Sequence, residues 1–180
     1  MSVLGHVAVG VVVARAITGP DAPPETLPRR MATFAGLALL PDIDLLLSGA
    51  SYGAGPLDHR GVTHSLMFAL WVGLIVGLGL ALAGDGHPIR WGLLAGALVA
   101  SHGVMDAFGQ STLGVELFWP LSDVRVLAPW HVLPNPSIAP PLAVHFWGVL
   151  AVEALVFLPA WVYAFLPRAW IAPRQAAGRG

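Results

Sequence analysis

The chain contains no cysteine and no lysine, and only 11% of its residues are charged. Without cysteine there is no thiolate to bind a metal and no disulfide to mark a compartment, so any ion held here is held by imidazole and carboxylate. Without lysine there is neither a Schiff base nor a phosphate loop of the Walker type. All nine basic residues are arginine, and a net charge of -1 leaves no basic footprint for nucleic acid. Apolar residues fill the space instead. They make up 56% of the chain and raise the mean hydropathy to +0.73, beyond the usual range of a soluble domain.

Apolar segments run over about 3–18, 31–47, 64–84, 89–108 and 142–166, separated by breaks rich in proline and glycine. They predict an all-α fold, a polytopic membrane bundle of about five helices forming one domain over residues 1–180. Residues 66–83 carry no ionisable group, and at 1.5 Å per residue such a run nearly crosses a hydrocarbon core of about 30 Å. Met1 to Gly5 lack the positive charge of a secretory signal, and Arg15 follows the apolar run rather than preceding it. The first two segments are short for spanning and are expected to tilt, to stop early or to be partly enclosed. Gly73 and Gly77, and Gly92, Gly96 and Ala100, recur at intervals of four, which predicts a tight hairpin between the third and fourth helices. The stretch 108–141, with Trp119, Trp130 and six prolines, is expected to cap a site at the interface or to anchor there. Residues from about 168 to 180 read as a flexible tail.

Polar residues gather at four places: Gly5-His6, Pro41-Asp42-Ile43-Asp44, His59 to Ser65, and Ser101-His102 with Asp106. The start of an odd-numbered helix and the end of an even-numbered one lie at the same side of a membrane, so up-and-down threading brings all four together. His102 and Asp106 share one helical face a turn apart, suited to one ion, two neighbouring ions or a contact between helices. Asp42 and Asp44 repel unless a cation sits between them, or else they cap the next segment. His64 opens the third helix, with Thr63 as its expected N-cap. Arg60 suits a phosphate or carboxylate, and His59 suits ligation or proton transfer, if the two are not simply a solvated loop pair. His6 reads as a ligand or as a satisfied core histidine. Glu116 is a further candidate base but reads better as an exposed loop carboxylate. His87 and His131 are expected to be solvated, and His145 and Glu153 to make helix contacts.

These four motifs, Gly5-His6, PDID at 41–44, HRGVTHS at 59–65 and SHGVMDAFGQSTLGVELFWPLSD at 101–123, resemble the YdjM-type membrane-bound metal-dependent hydrolases. The likeness covers roughly residues 5–130, and HRGVTHS and the His102–Asp106 pair are its specific parts. It implies a membrane relative of the zinc phospholipase C and zinc-nuclease fold. His6, Asp42, His64, His102 and Asp106 would be its metal ligands, and Asp44 a ligand or a residue just behind them. His145 and Glu153 are eight apart rather than four, so the second histidine–acid pair of the soluble relatives has no counterpart. One or two ions are therefore expected rather than three.

Imidazole and carboxylate without sulfur suit zinc, or manganese or another first-row divalent ion. Such an ion lowers the pKa of an attacking water toward about 7 and polarises the oxygen under attack. Arg60 would neutralise substrate charge, and Asp44 or His59 would act as the base. The expected partners are membrane lipids and a small or lipid phosphoester substrate. The alternative is a metal-binding membrane protein without catalysis, a transporter or a regulator. Arg15, Arg29, Arg30, Arg90, Arg168, Arg174 and Arg179 fall opposite the cluster and Arg60 and Arg125 beside it. By the positive-inside rule the cluster then faces out of the cytoplasm, and the C-terminus into it, in the inner membrane.

Overall fold

A computed structural model of the chain describes residues 3–47, 57–109, 113–130 and 142–167. Seven α-helical segments stand in it, in the order α1 Val3–Ile17, α2 Thr26–Leu39, a one-turn α3 Asp44–Leu47, α4 Leu66–Leu82, α5 Pro88–Ala107, α6 Leu142–Val156 and α7 Leu158–Phe165. Two 3-10 turns, Leu40–Ile43 and Val62–His64, join the segments that carry the polar motifs. Among the described residues the only β structure is an isolated bridge between Val115 and Val126.

Helix α2 begins earlier than its apolar run, because Thr26 to Arg30 wind helically with Pro28 in the first turn, where a proline costs no hydrogen bond. It ends at Leu39, where Pro41 leads into the 3-10 turn that turns Asp42 and Asp44 inward. The expected fifth helix is broken. Pro159 lacks the N–H that a continuous helix would need and crowds the preceding turn, so α6 and α7 meet at 63°.

Helices α4 and α5 form the close hairpin that their glycine spacing predicts. A Cβ at Gly92 would lie 2.7 Å from the carbonyl oxygen of Gly73, and one at Gly73 2.8 Å from that of Gly92. Only glycine permits this approach, because those separations lie inside van der Waals contact. Helix α1 meets α2 in the same manner, with a Cβ at Gly10 falling 2.6 Å from the Phe34 carbonyl oxygen. Ala14, Phe34 and Leu98 are the buried centre where α1, α2 and α5 converge, ringed by Val9, Ile17, Leu37, Trp91 and Leu94. Little else of the apolar surface is enclosed. Leu70, Trp71, Leu74, Ile75 and Leu78 of α4 and Ile89 and Leu93 of α5 are all more than half exposed, the distribution of a helix pair apolar on every side. Among the described residues no single helix is long and apolar enough to cross a membrane; the bent pair Trp147–Val156 and Leu158–Phe165 is so by length and composition taken together.

Candidate metal centre

One end of the bundle collects the polar motifs. His6 comes from the first turns of α1, Asp42 and Asp44 from the turn after α2, His64 from the 3-10 turn before α4, and His102 and Asp106 from the last turns of α5. His6, His64, His102 and Asp106 are at most 2% exposed. The rings of His6 and His102 stack with centroids 3.5 Å apart, and His64 stands edge-on to His102 at 4.8 Å. Gly103 makes room for this, since a Cβ there would collide with the carbonyl oxygen of His64.

Hydrogen bonding fixes one tautomer. His102 Nδ1 lies 2.7 Å from the Ala38 carbonyl oxygen; a carbonyl only accepts, so Nδ1 carries a proton, and in the neutral ring Nε2 presents the lone pair. That Nε2 points at Asp42 Oδ1, 3.2 Å away, and lies 3.9 Å from Asp106 Oδ2. His6 Nε2 lies 3.3 Å from Asp106 Oδ1. His64 Nε2 is 3.5 Å from Asp42 Oδ1 and 3.7 Å from Asp106 Oδ2. None of the three Nε2 atoms has a hydrogen-bond partner. Lone pairs and carboxylate oxygens facing one another inside a protein are costly unless positive charge lies between them. The separations match that need: atoms bonded at about 2.0–2.1 Å to one tetrahedral ion sit about 3.3–3.4 Å apart. Two donor groups adjoin here, His6 with His102 and Asp106, and Asp42 with His59 and His64, each with ligand atoms within 4.8 Å of one another. Asp42 touches both, so the donor set suits one ion or an adjacent pair.

Asp44 stands behind this set. Its Oδ1 lies 2.9 Å from His59 Nδ1, and its Oδ2 accepts from Thr63 Oγ1 at 2.8 Å and from the Arg60 amide at 3.3 Å. His64 Nδ1 is 3.2 Å from the same oxygen. A carboxylate holding the far nitrogen of an imidazole orients it and raises its basicity, the usual support for a ligating histidine. Burial opposes ionisation of Asp44, but His59 and His64 more than offset it and hold the carboxyl well below the usual range. Asp42 is lowered in the same way, burial being outweighed by His102 and His64. For His64 burial disfavours the charged ring, yet Asp42 and Asp44 win and lift it to about 9. A cation of some kind, proton or metal, belongs in this cluster.

Arg60 enters it from the side. Its Nε lies 3.4 Å from Asp106 Oδ2, its NH1 is buried without a hydrogen-bond partner, and its backbone sits at φ 69°. A non-glycine residue there stores about 1–3 kcal/mol of strain, which the surrounding contacts must override.

The structure thus brings His6, Asp42, His64, His102 and Asp106 together, with His59, Arg60 and Asp44 against them. Two expectations need correction. Thr63 does not cap α4: Ser65 does, accepting from the Phe68 amide at 3.0 Å, because the chain makes one more turn before the helix and Thr63 is drawn to Asp44. Glu116 is not an exposed loop carboxylate. It is 2% exposed and paired with Arg125 at 3.0 Å, since Val115 and Leu117 on either side are buried and carry it inward. A charge set between apolar neighbours was the sequence signal for that burial. His87 is exposed as expected, and Glu153 is buried in α6. His131 and the His145 side chain lie outside the described residues, as do residues 131–141 of the expected cap and the tail 168–180. The described part of the cap lies on the His59–Leu66 segment, with the Leu66 amide donating to the Leu117 carbonyl at 3.0 Å.

The family model described as YdjM inner membrane protein matches residues 1–175. The inner membrane protein YbcI of Escherichia coli (strain K12) is 37% identical over 137 residues, covering 73% of this chain and 75% of that protein. No solved structure matches.

Proposed function

Because this chain belongs to the YdjM inner membrane protein family, we propose that it is a multi-pass membrane hydrolase. Its buried histidine–aspartate cluster would hold one or two divalent ions, zinc before manganese, and cleave a phosphoester. The observation that carries this reading is the trio of Nε2 atoms on His6, His64 and His102, all without hydrogen-bond partners and all facing carboxylate oxygens. An ion at that point supplies Lewis acidity, lowering the pKa of water toward about 7 and drawing charge from a phosphoryl oxygen.

The ligands would be His6, Asp42, His64, His102 and Asp106. Asp44 serves as the residue that orients His59 and His64, since both its oxygens are already engaged by them and by Thr63. With Nδ1 held by Asp44, the other nitrogen of His59 is the atom that exchanges a proton with the attacking water or the leaving group. Arg60 NH1 is the donor left over for a phosphoryl oxygen, and a guanidinium suits that acceptor. An apolar belt around α4 and α5 fits access from the lipid side, and so a lipid or headgroup-like substrate.

Orientation follows from the arginines. Arg15 donates to the Leu166 carbonyl, Arg30 to Ile17, and both Arg30 and Arg90 lie over the Trp91 ring, all at the end remote from the cluster. Positive charge favours the cytoplasmic side, so the cluster faces outward and the C-terminus inward. Single cysteines at positions 51 and 178 of this cysteine-free chain, labelled in intact cells with an impermeant thiol reagent, test it. Labelling at 178 alone would reverse the orientation.

Metal analysis of the purified protein tests the site. Zinc or manganese is expected in the wild type and absent from His64→Ala and Asp106→Ala; full retention in both refutes it. Hydrolysis assays on phospholipid and generic phosphodiester substrates then separate an enzyme from a metal-binding protein that catalyses nothing.

A further inference from the structure

The metal ligands occupy only part of the polar interior. Beside them, in the segment that follows α5, stands the ion pair of Glu116 and Arg125. Its role emerges from the turn at Leu57–Gly61, which is held from two sides. On the inner side Asp44 takes the His59 ring and the Arg60 amide. On the outer side the Glu116 amide donates to the Arg60 carbonyl at 3.0 Å, and Arg125 NH1 donates to the His59 carbonyl at 3.4 Å. The Glu116 carboxylate lies 3.0 Å from Arg125 NH2. One guanidinium therefore spans from Glu116 to His59, and the residue that grips it also grips Arg60 through its own backbone.

Such a bridge requires residues 114–117 to run tightly beside 125–126. Val115 and Val126 exchange amide–carbonyl bonds of 3.0 and 2.7 Å. Gly114, at φ 66°, permits the approach, since a Cβ there would lie 3.0 Å from the Val126 carbonyl oxygen and from the Arg125 Cβ. Both charged side chains are almost fully enclosed, so neither is there for solubility. Arg125 and the Glu116 amide it steadies hold the carbonyls either side of a backbone conformation that a non-glycine residue rarely adopts, and that conformation aims the Arg60 guanidinium at Asp106.

We infer that Glu116 and Arg125 are positioning residues which clamp the His59–Arg60 turn, and through it set where the phosphoryl-binding guanidinium and the proton-exchanging imidazole stand. This rests on the hydrolase reading above. It adds that the His59–Arg60 turn has a support of its own, beyond what holds the ion ligands on α1, α5 and the two 3-10 turns. Loosening the clamp should leave the ion in place while the site loses its hold on phosphate.

The test uses full-length protein in detergent, zinc-loaded, with inorganic phosphate as probe, comparing wild type with Arg125→Met and Arg125→Lys. Expected in Arg125→Met are wild-type zinc content, a lowered unfolding temperature because Glu116 stays buried without its cation, and phosphate affinity about 10-fold weaker, the scale on which outer supporting groups act. Arg125→Lys should recover part of that loss, because an ammonium still pairs with Glu116 without reaching the carbonyl in the same fork. Wild-type phosphate affinity in Arg125→Met overturns the inference. So does joint loss of zinc, phosphate and stability in both variants, which would make the pair a support of the whole fold. Amide hydrogen exchange on the metal-free protein judges the clamp without ion or substrate. Exchange accelerated most over residues 57–66 in Arg125→Met supports it, and unchanged or evenly accelerated exchange sinks it. A wild type that takes up no zinc sinks the hydrolase reading alone.

Discussion

The two ends of helix α5 are built on opposite principles. Toward Pro88 it lies against α4 through glycine, backbone on backbone, with leucine and isoleucine turned outward and almost no polar group enclosed. Toward Ala107 it carries His102 and Asp106 inward, and specific contacts of about 3 Å hold the neighbouring turns around them. Cohesion in the first region is close contact between surfaces without direction. In the second it is direction without much surface, between imidazoles and carboxylates that suit a cation among them. The hairpin should therefore respond to volume and be indifferent to ions, and the cluster should do the reverse.

The largest effect expected is that of the ion itself. Zinc at about a thousand times its dissociation constant should stabilise the protein by about 4 kcal/mol, read as a rise in unfolding midpoint that Asp106→Ala abolishes and a chelator reverses. If Asp106→Ala keeps the rise, the contrast between the two ends fails. Next is Gly92→Leu, which forces bulk into the closest backbone approach and should cost about 3 kcal/mol while zinc uptake at a permissive temperature stays at the wild-type level. Loss of zinc uptake there would mean the two regions are not independent. Thr63→Val should cost about 2 kcal/mol, the worth of its hydrogen bond to the ionised Asp44, with a modest weakening of zinc affinity measured by competition. Smallest is Leu78→Ala on the outer face of α4, expected within about 0.5 kcal/mol in thermal unfolding, because its side chain is already mostly exposed and its removal leaves no cavity.

Much of this was legible in the sequence, for reasons particular to each residue. The intervals of four between Gly73 and Gly77 and between Gly92 and Gly96 announced the hairpin, because only contact with another backbone makes such a stripe worth its entropy. The convergence of His6, Asp42, His64, His102 and Asp106 followed from helix parity alone. The break between α6 and α7 was signalled by Pro159, but the apolar run continues across it and masked the turn. Thr63 and Ser65 are equally good capping residues, and only the placement of Asp44, a long-range fact, chooses between them. Glu116 and Arg125 find each other through a two-residue bridge too short for any periodic pattern to register.

Arg60 leaves one further consequence. Its left-handed backbone would suit glycine better, so in zinc-loaded protein Arg60→Gly should relax the turn and gain part of the stored strain, while removing the guanidinium that faces Asp106. Selection for robustness alone would have replaced this arginine. That it stands in the least comfortable conformation of its loop makes position 60 a trade-off between durability and use.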